Sequence, residues 1–243
     1  MADKKRDIVP GQAPGRPAAA PSGAGEVADF LARLKSAPKP GEGGGRLIFA
    51  LDATASRQPT WDQASHLQAE MFQSAAALGG LSVQLVFYRG FRECKASPWM
   101  SDTQSLLRRM TAVTCRAGHT QIERILRHAA KEARKARIAA LVFVGDAVEE
   151  AVDDLGDAAG ELGLLGLPCF LFHEGGNPRV RQVFEEIARL SGGACCAFDA
   201  GSAEQLKALL GAVAAYAAGG RKAMLEYGRG KQGPVALLTR QVR

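Results

Sequence analysis

Two periods alternate along the chain. Runs dominated by apolar residues, at 47–51, 83–88, 138–144, 167–172 and 195–198, are separated by stretches in which apolar residues recur at helical spacing. A short apolar run without polar alternation reads as a strand covered on both faces, the mark of a parallel sheet with helices on either side. Between the strands, Trp61, Ala64, Leu67, Met71, Phe72, Ala75 and Leu78 fall on one helical face behind a Thr60/Gln63 capping box, so a helix is predicted over 61–78. Further helices are predicted over 102–112, from Thr120 onward through Ile122, Ile125, Ala129 and Ala133, over 148–162, over 178–190 behind Asn177-Pro178, and over 203–216 behind Ser202. The polar run 91–96, entered through Arg89-Gly90, suits a short antiparallel edge strand. This rhythm predicts an α/β fold with a doubly wound, mainly parallel sheet.

The pattern fades at both ends. Residues 1–24 hold four prolines and almost no large apolar side chain, so they are expected to be a disordered tail. Residues 25–43 read as a short docking helix (Val27, Phe30, Leu31, Leu34) and a Gly-rich linker, 44–216 as the folded domain, and 217–243 as a basic C-terminal tail. Charge changes the picture only when it is placed. The net +6 divides into +2 over 1–45, −1 over 46–216 and +5 over 217–243, so the domain is nearly neutral and nucleic acid is an unlikely partner for it. A solvated basic tail is the simpler reading, with nucleic-acid association through that tail as an alternative. The glycines at 41–45 precede a strand instead of following one, and no G-x-x-x-x-G-K-[ST] occurs, so neither a dinucleotide fingerprint nor a P-loop is expected. The five cysteines lack a C-x-x-C pair and mostly lie in strand-like runs, which suits reduced core residues; Cys195 and Cys196 should face opposite sides of a strand. With no apolar run long enough to span a bilayer and no secretory pattern after Met1, a cytoplasmic location without membrane contact is expected.

Candidate chemistry collects at strand ends. The strand 47–51 stops at Asp52-Ala53-Thr54-Ala55-Ser56, which puts a carboxylate and two hydroxyls where open α/β sheets bind ligands. These are hard oxygen donors suited to a magnesium-sized cation, yet Asp52 could equally open an Asx-type turn whose hydroxyls satisfy loop amides. Thr120, after Gly118-His119, forms a T-x-x-E capping box with Glu123 that explains it without any metal. Asp146 is a second carboxylate delivered to a strand end. His119 has no nucleophile beside it to serve as base for, so no catalytic residue is expected.

Asp52-x-Thr54-x-Ser56, Gly118-x-Thr120 at a helix start and Asp146 after an apolar strand together resemble the von Willebrand factor A (VWA) domain with its metal-ion-dependent adhesion site, over roughly 44–216. The resemblance implies a Rossmann-like sheet and a bacterial cytoplasmic type of VWA protein. It also implies Mg2+ (or Mn2+) held directly by Thr54, Ser56 and Thr120, with Asp52 and Asp146 acting through water. Thr54 stands where the family usually has serine, which keeps the hydroxyl, and Ala147 stands where glycine usually follows the aspartate. The implied function is a metal-dependent protein-binding module, an adaptor or assembly component without catalysis of its own. Its partner would contribute an acidic residue to the metal, and an ATPase assembly is one such setting. The competing class is a metal-dependent phosphoryl-transfer or hydrolytic enzyme of similar topology. Haloacid-dehalogenase chemistry is disfavoured because it needs a carboxylate where Thr54 stands.

Overall fold

The structure is a computed structural model that describes residues 45–58, 81–198, 211–213, 215–217, 222–223 and 226–227. The N-terminal tail, the docking helix, the 61–78 helix and the Ser202 cap lie outside the described residues. Strands β1 (Arg46–Asp52), β2 (Ser82–Arg89), β3 (Glu93–Ala96), β4 (Ala140–Gly145), β5 (Cys169–Glu174) and β6 (Ala194–Phe198) form one sheet in the order β3-β2-β1-β4-β5-β6. Every pairing is parallel except β2 with β3, a hairpin edge. Helices α1 (Thr103–Thr111), α2 (Ile122–Lys135), α3 (Val152–Leu164) and α4 (Pro178–Ser191) connect them. The fold is thus the doubly wound, mostly parallel α/β sheet with an antiparallel edge that the alternating periods predict.

The apolar strands are explained by two cores. On one face Leu47, Phe49 and Leu51 meet Val142, Val144, Phe170, the α1 residues Leu106 and Met110, and Ala212, Val213, Tyr216 and Ala217 from the helical residues 211–213 and 215–217. On the other, Ile48 and Ala50 meet Leu141, Phe143 and Leu171 under the apolar faces of α2, α3 and α4. Strand β1 therefore buries consecutive side chains in opposite directions, and each large one removed from water contributes about 1.5–3 kcal/mol. Cys195 packs against the second core and Cys196 against the first, the opposite-face placement that a strand dictates.

Local signals set most helix ends. Asp102 caps α1 by accepting from the Gln104 and Ser105 amides at 3.0 and 2.8 Å, and Asn177 caps α4 by accepting from the Arg179 amide at 3.0 Å ahead of Pro178. Two ends differ from expectation. Helix α2 begins at Ile122 with Gln121 as its N-cap, and the Thr120/Glu123 box does not form: Glu123 pairs with Arg127 instead. Helix α3 begins at Val152 rather than near 148, because Glu149 and Glu150 reach across to the turn before α2 and hold 146–151 as a loop.

One partly buried polar pair gives the fold a pH dependence. Gln84, in the sheet, donates to the Ser97 carbonyl at 3.0 Å and its amide oxygen meets the His128 ring of α2 at 2.8 Å. Burial pushes the His128 pKa down, aided by Lys135 and Lys131 and opposed by Glu132. A histidine whose folded pKa lies below its unfolded value contributes stability that is present above about pH 6.5 and lost as pH falls through the folded value. Urea unfolding should therefore show stability declining from pH 7 to pH 5, and His128→Asn should decline less over that interval. Parallel curves for the two proteins would remove His128 from the account.

Candidate metal centre

From β1 the sheet extends to β2 on one side and to β4 on the other, so the crevice beyond the C-terminal ends of β1 and β4 is the topological switch point where open α/β sheets bind ligands. Asp52 is the last residue of β1 and is fully buried. One carboxylate oxygen accepts from the Thr54 amide at 2.7 Å, and the other accepts from the Tyr88 hydroxyl at 2.9 Å. The first of these contacts is the Asx-type turn itself, so the turn forms; each oxygen still keeps a lone pair for a water or a cation. Across the turn the Thr54 and Ser56 hydroxyl oxygens lie 3.0 Å apart, Thr54 buried and Ser56 exposed.

Asp146 follows Gly145, the last residue of β4. A Cβ added to Gly145 would lie 3.4 Å from the Asp52 Cβ, so the two acid-bearing strand ends pack against each other. One Asp146 carboxylate oxygen is buried without a hydrogen-bond partner. Charge accumulates accordingly. Burial holds the Asp52 carboxyl above its ordinary range and Asp146 adds to this, against the lowering effect of Thr54 and Tyr88. The Tyr88 hydroxyl is pushed well up, by burial first and then by Asp52, Glu150 and Asp146.

Thr120 sits with a second set of partners. Its hydroxyl donates to the Glu150 carboxylate and accepts from the Glu149 amide at 2.9 Å, while its own amide donates to the Glu149 carboxylate at 3.1 Å. The other Glu150 oxygen accepts from the Ile122 amide, so the free end of α2 is satisfied from a loop 28 residues away. His119 Nδ1 lies 2.7 Å from the same Glu149 carboxylate, and its ring meets the exposed Phe91 edge-on at 5.4 Å. The hairpin tip can reach this turn because Gly118 carries no side chain: a Cβ there would fall 2.1 Å from Gly90.

Thus Asp52, Thr54 and Ser56 are hydrogen-bonded together, Asp146 adjoins them, and Thr120 is joined to the loop that follows Asp146. Five neighbours of these residues are not read from the sequence. Tyr88 pairs with Asp52 in the β1–β2 register, a signal available once those strands are aligned. Glu149 and Glu150 look like part of an acidic helix. Arg57 and Glu174 form a buried ion pair, Nε and Nη2 meeting one Glu174 oxygen at 2.8 and 2.6 Å, while Nη1 donates to the carbonyls of Asp52 and Val144 at 3.2 and 3.4 Å. One guanidinium thereby ties the ends of β1, β4 and β5 beneath the crevice.

The donor set can be tested against a magnesium ion. Octahedral oxygens about 2.0–2.1 Å from the ion lie about 2.8–3.0 Å from their neighbours, a range that includes the 3.0 Å Thr54–Ser56 hydroxyl separation. The unpartnered Asp146 oxygen offers the kind of acceptor that a metal-bound water requires. Among the described residues no group of three or more His, Cys, Asp or Glu is placed to hold a metal. A hydroxyl-rich set with two flanking carboxylates is a different kind of site, one suited to hard cations.

No family model matches the chain, and no curated protein matches it. Solved structures do. The von Willebrand factor type A protein from Catenulispora acidiphila superposes with a TM-score of 0.58 at 15% identity, over 71% of this chain and 43% of that one. The SpRpn10 VWA domain gives 0.53 at 12% identity, over 70% and 95%. The pilus adhesin SpaC from Lactobacillus rhamnosus GG gives 0.57 at 10% identity, over 78% and 31%. This chain therefore spans less than half of the first and third of these proteins. At such identities the likeness shows the fold, which is that of a VWA domain.

Proposed function

We propose that this chain, with its VWA fold, is a magnesium-dependent protein-binding module whose partner supplies an aspartate or glutamate. The observation that carries the reading is the pair of hydroxyls 3.0 Å apart beside an unpartnered, buried Asp146 oxygen at the switch point. Thr54, Ser56 and Thr120 would hold Mg2+, or Mn2+, directly, and Asp52 and Asp146 would hold its waters. When bound, the ion supplies an electrophilic position that a partner carboxylate can complete, because neutral first ligands leave its charge largely uncompensated. Tyr88 and the Thr54 amide keep the Asp52 carboxylate oriented, and the Arg57–Glu174 pair holds the strand ends beneath it.

The rim is divided in sign. Phe91, Arg92 and Arg116 are exposed on the hairpin side, and Glu149 is exposed on the α3 side, so an acidic partner would be steered toward the hairpin. A role as adaptor or assembly component, including in an ATPase assembly, follows from the same chemistry, and the binding role of a pilus adhesin with this fold supports it. A cytoplasmic setting belongs to the same reading, since Cys94 and Cys169 are free thiols. Among the described residues no helix is long and apolar enough to cross a membrane.

Metal linkage tests the proposal. A ligand that binds only the native state adds about 2.7 kcal/mol at a hundredfold excess over its dissociation constant. The melting temperature should rise from EDTA to saturating Mg2+, and Ser56→Ala should shrink the increment by removing an exposed hydroxyl with little effect on the apo fold. Superimposable melting curves in EDTA and magnesium would refute an occupied site.

A further inference from the structure

We infer that Glu150 sets the direction of the Thr120 hydroxyl proton, so that Thr120 turns an oxygen lone pair, and not a hydrogen, toward the cation. The inference rests on the magnesium reading above and names a residue outside the family-like motif. A threonine hydroxyl has one hydrogen to donate and two lone pairs. In Thr120 the hydrogen goes to Glu150 and one lone pair accepts from the Glu149 amide, which leaves a single lone pair. An ionised carboxylate can only accept, so the Thr120 proton has no second orientation while Glu150 is charged.

The second Glu150 oxygen fixes the carboxylate in place. It accepts from the Ile122 amide, the first residue of α2, where unsatisfied amides and the helix dipole favour a negative charge. Glu150 thus spans the helix end and the hydroxyl at once, one oxygen accepting from the Ile122 amide and the other from the Thr120 hydroxyl and, at 3.3 Å, from the Glu149 amide. Glu149 supplies a different element: its backbone amide takes one of the two lone pairs, and its side chain holds the Thr120 amide and His119. The hydrogen-bond partners of a ligating group orient it as much as its own backbone does, and Glu150 is a positioning residue in this sense.

Glu150→Gln separates this role from simple packing. The amide keeps its size but has one acceptor oxygen. If that oxygen serves the Ile122 amide, the NH2 group faces Thr120 and donates to it, which fills the remaining lone pair or swings the hydroxyl proton toward the ion. Calorimetric titration should show the Mg2+ dissociation constant rising at least tenfold, with the protein still folding in EDTA and its melting temperature lowered only modestly by loss of the charge at the α2 N-terminus.

Loss of one negative charge could weaken a cation by itself, so the test is completed in a Thr120→Val background. With no hydroxyl to orient, Glu150→Gln should add little further loss to Thr120→Val, a non-additive cycle. An amide readout needs no metal: in EDTA the Ile122 amide resonance should move in Glu150→Gln, reporting exchange of a carboxylate acceptor for an amide one. Equal Mg2+ affinity of wild type and Glu150→Gln, additive losses in the double variant, or an unmoved Ile122 amide would each overturn the inference while leaving the magnesium reading intact. Absence of Mg2+ binding by the wild type would remove both.

Discussion

Asp52→Asn is expected to make the protein more stable in chelator and insensitive to magnesium. The carboxylate is fully buried, and its pKa is raised by that burial first and by Asp146 beside it. A carboxyl whose folded pKa exceeds its unfolded value favours the fold below about pH 3.9 and loses that contribution as pH rises through the folded value. At neutral pH the charge therefore works against folding. Asparagine keeps both contacts, its oxygen accepting from the Thr54 amide and its NH2 donating to the Tyr88 oxygen, while the buried charge disappears. The melting temperature in EDTA should rise at pH 7, the gain should vanish toward pH 3, and the increment of about 2.7 kcal/mol at a hundredfold excess of Mg2+ should be lost. A less stable variant in EDTA would mean that the Asp52 charge is satisfied by its surroundings without a cation.

Arg57→Leu should be the most damaging single substitution near the crevice. Its side chain is buried, and Glu174 with which it pairs is 7% exposed. Removing one member of a buried ion pair leaves the other uncompensated and costs about 3–5 kcal/mol, whereas replacing both with apolar residues is often close to neutral. Urea unfolding should therefore show a loss of that size for Arg57→Leu and for Glu174→Leu, with much of it recovered in the double variant. Full recovery is not expected, because Nη1 also serves the Asp52 and Val144 carbonyls. A loss below about 1 kcal/mol for Arg57→Leu would show that water replaces the guanidinium at the strand ends.

The same two residues mark how far the candidate site could be read in advance. Asp52 and Asp146 can be singled out because each follows an apolar run, and Thr54 and Ser56 because they stand in the loop just after Asp52; a strand end in a doubly wound sheet is a place with a known chemical meaning. Thr120 was legible as a residue but not in its contacts. The T-x-x-E pattern is a local signal for a capping box, yet the Thr120 hydroxyl donates to Glu150, and Glu123 is left to pair with Arg127. Local spacing describes what a segment can do alone; the Glu149 carboxylate, arriving from a distant loop, takes the Thr120 amide that Glu123 would otherwise accept from.

What the sequence by itself determined is periodic and local: apolar runs for strands covered on both faces, helical stripes between them, and the cap at Asn177. Because β1, β4 and β5 are apolar on successive residues, they had to lie inside the sheet with helices on either side. Only the tertiary structure decided which strand ends meet. The Arg57–Glu174 pair spans 117 residues, Tyr88 reaches Asp52 through strand register, and Glu150 closes the end of α2 from the loop after β4. Each joins polar groups that have no periodic relation along the chain, and burial, which removes water as a competing partner, is what makes their pairing obligatory.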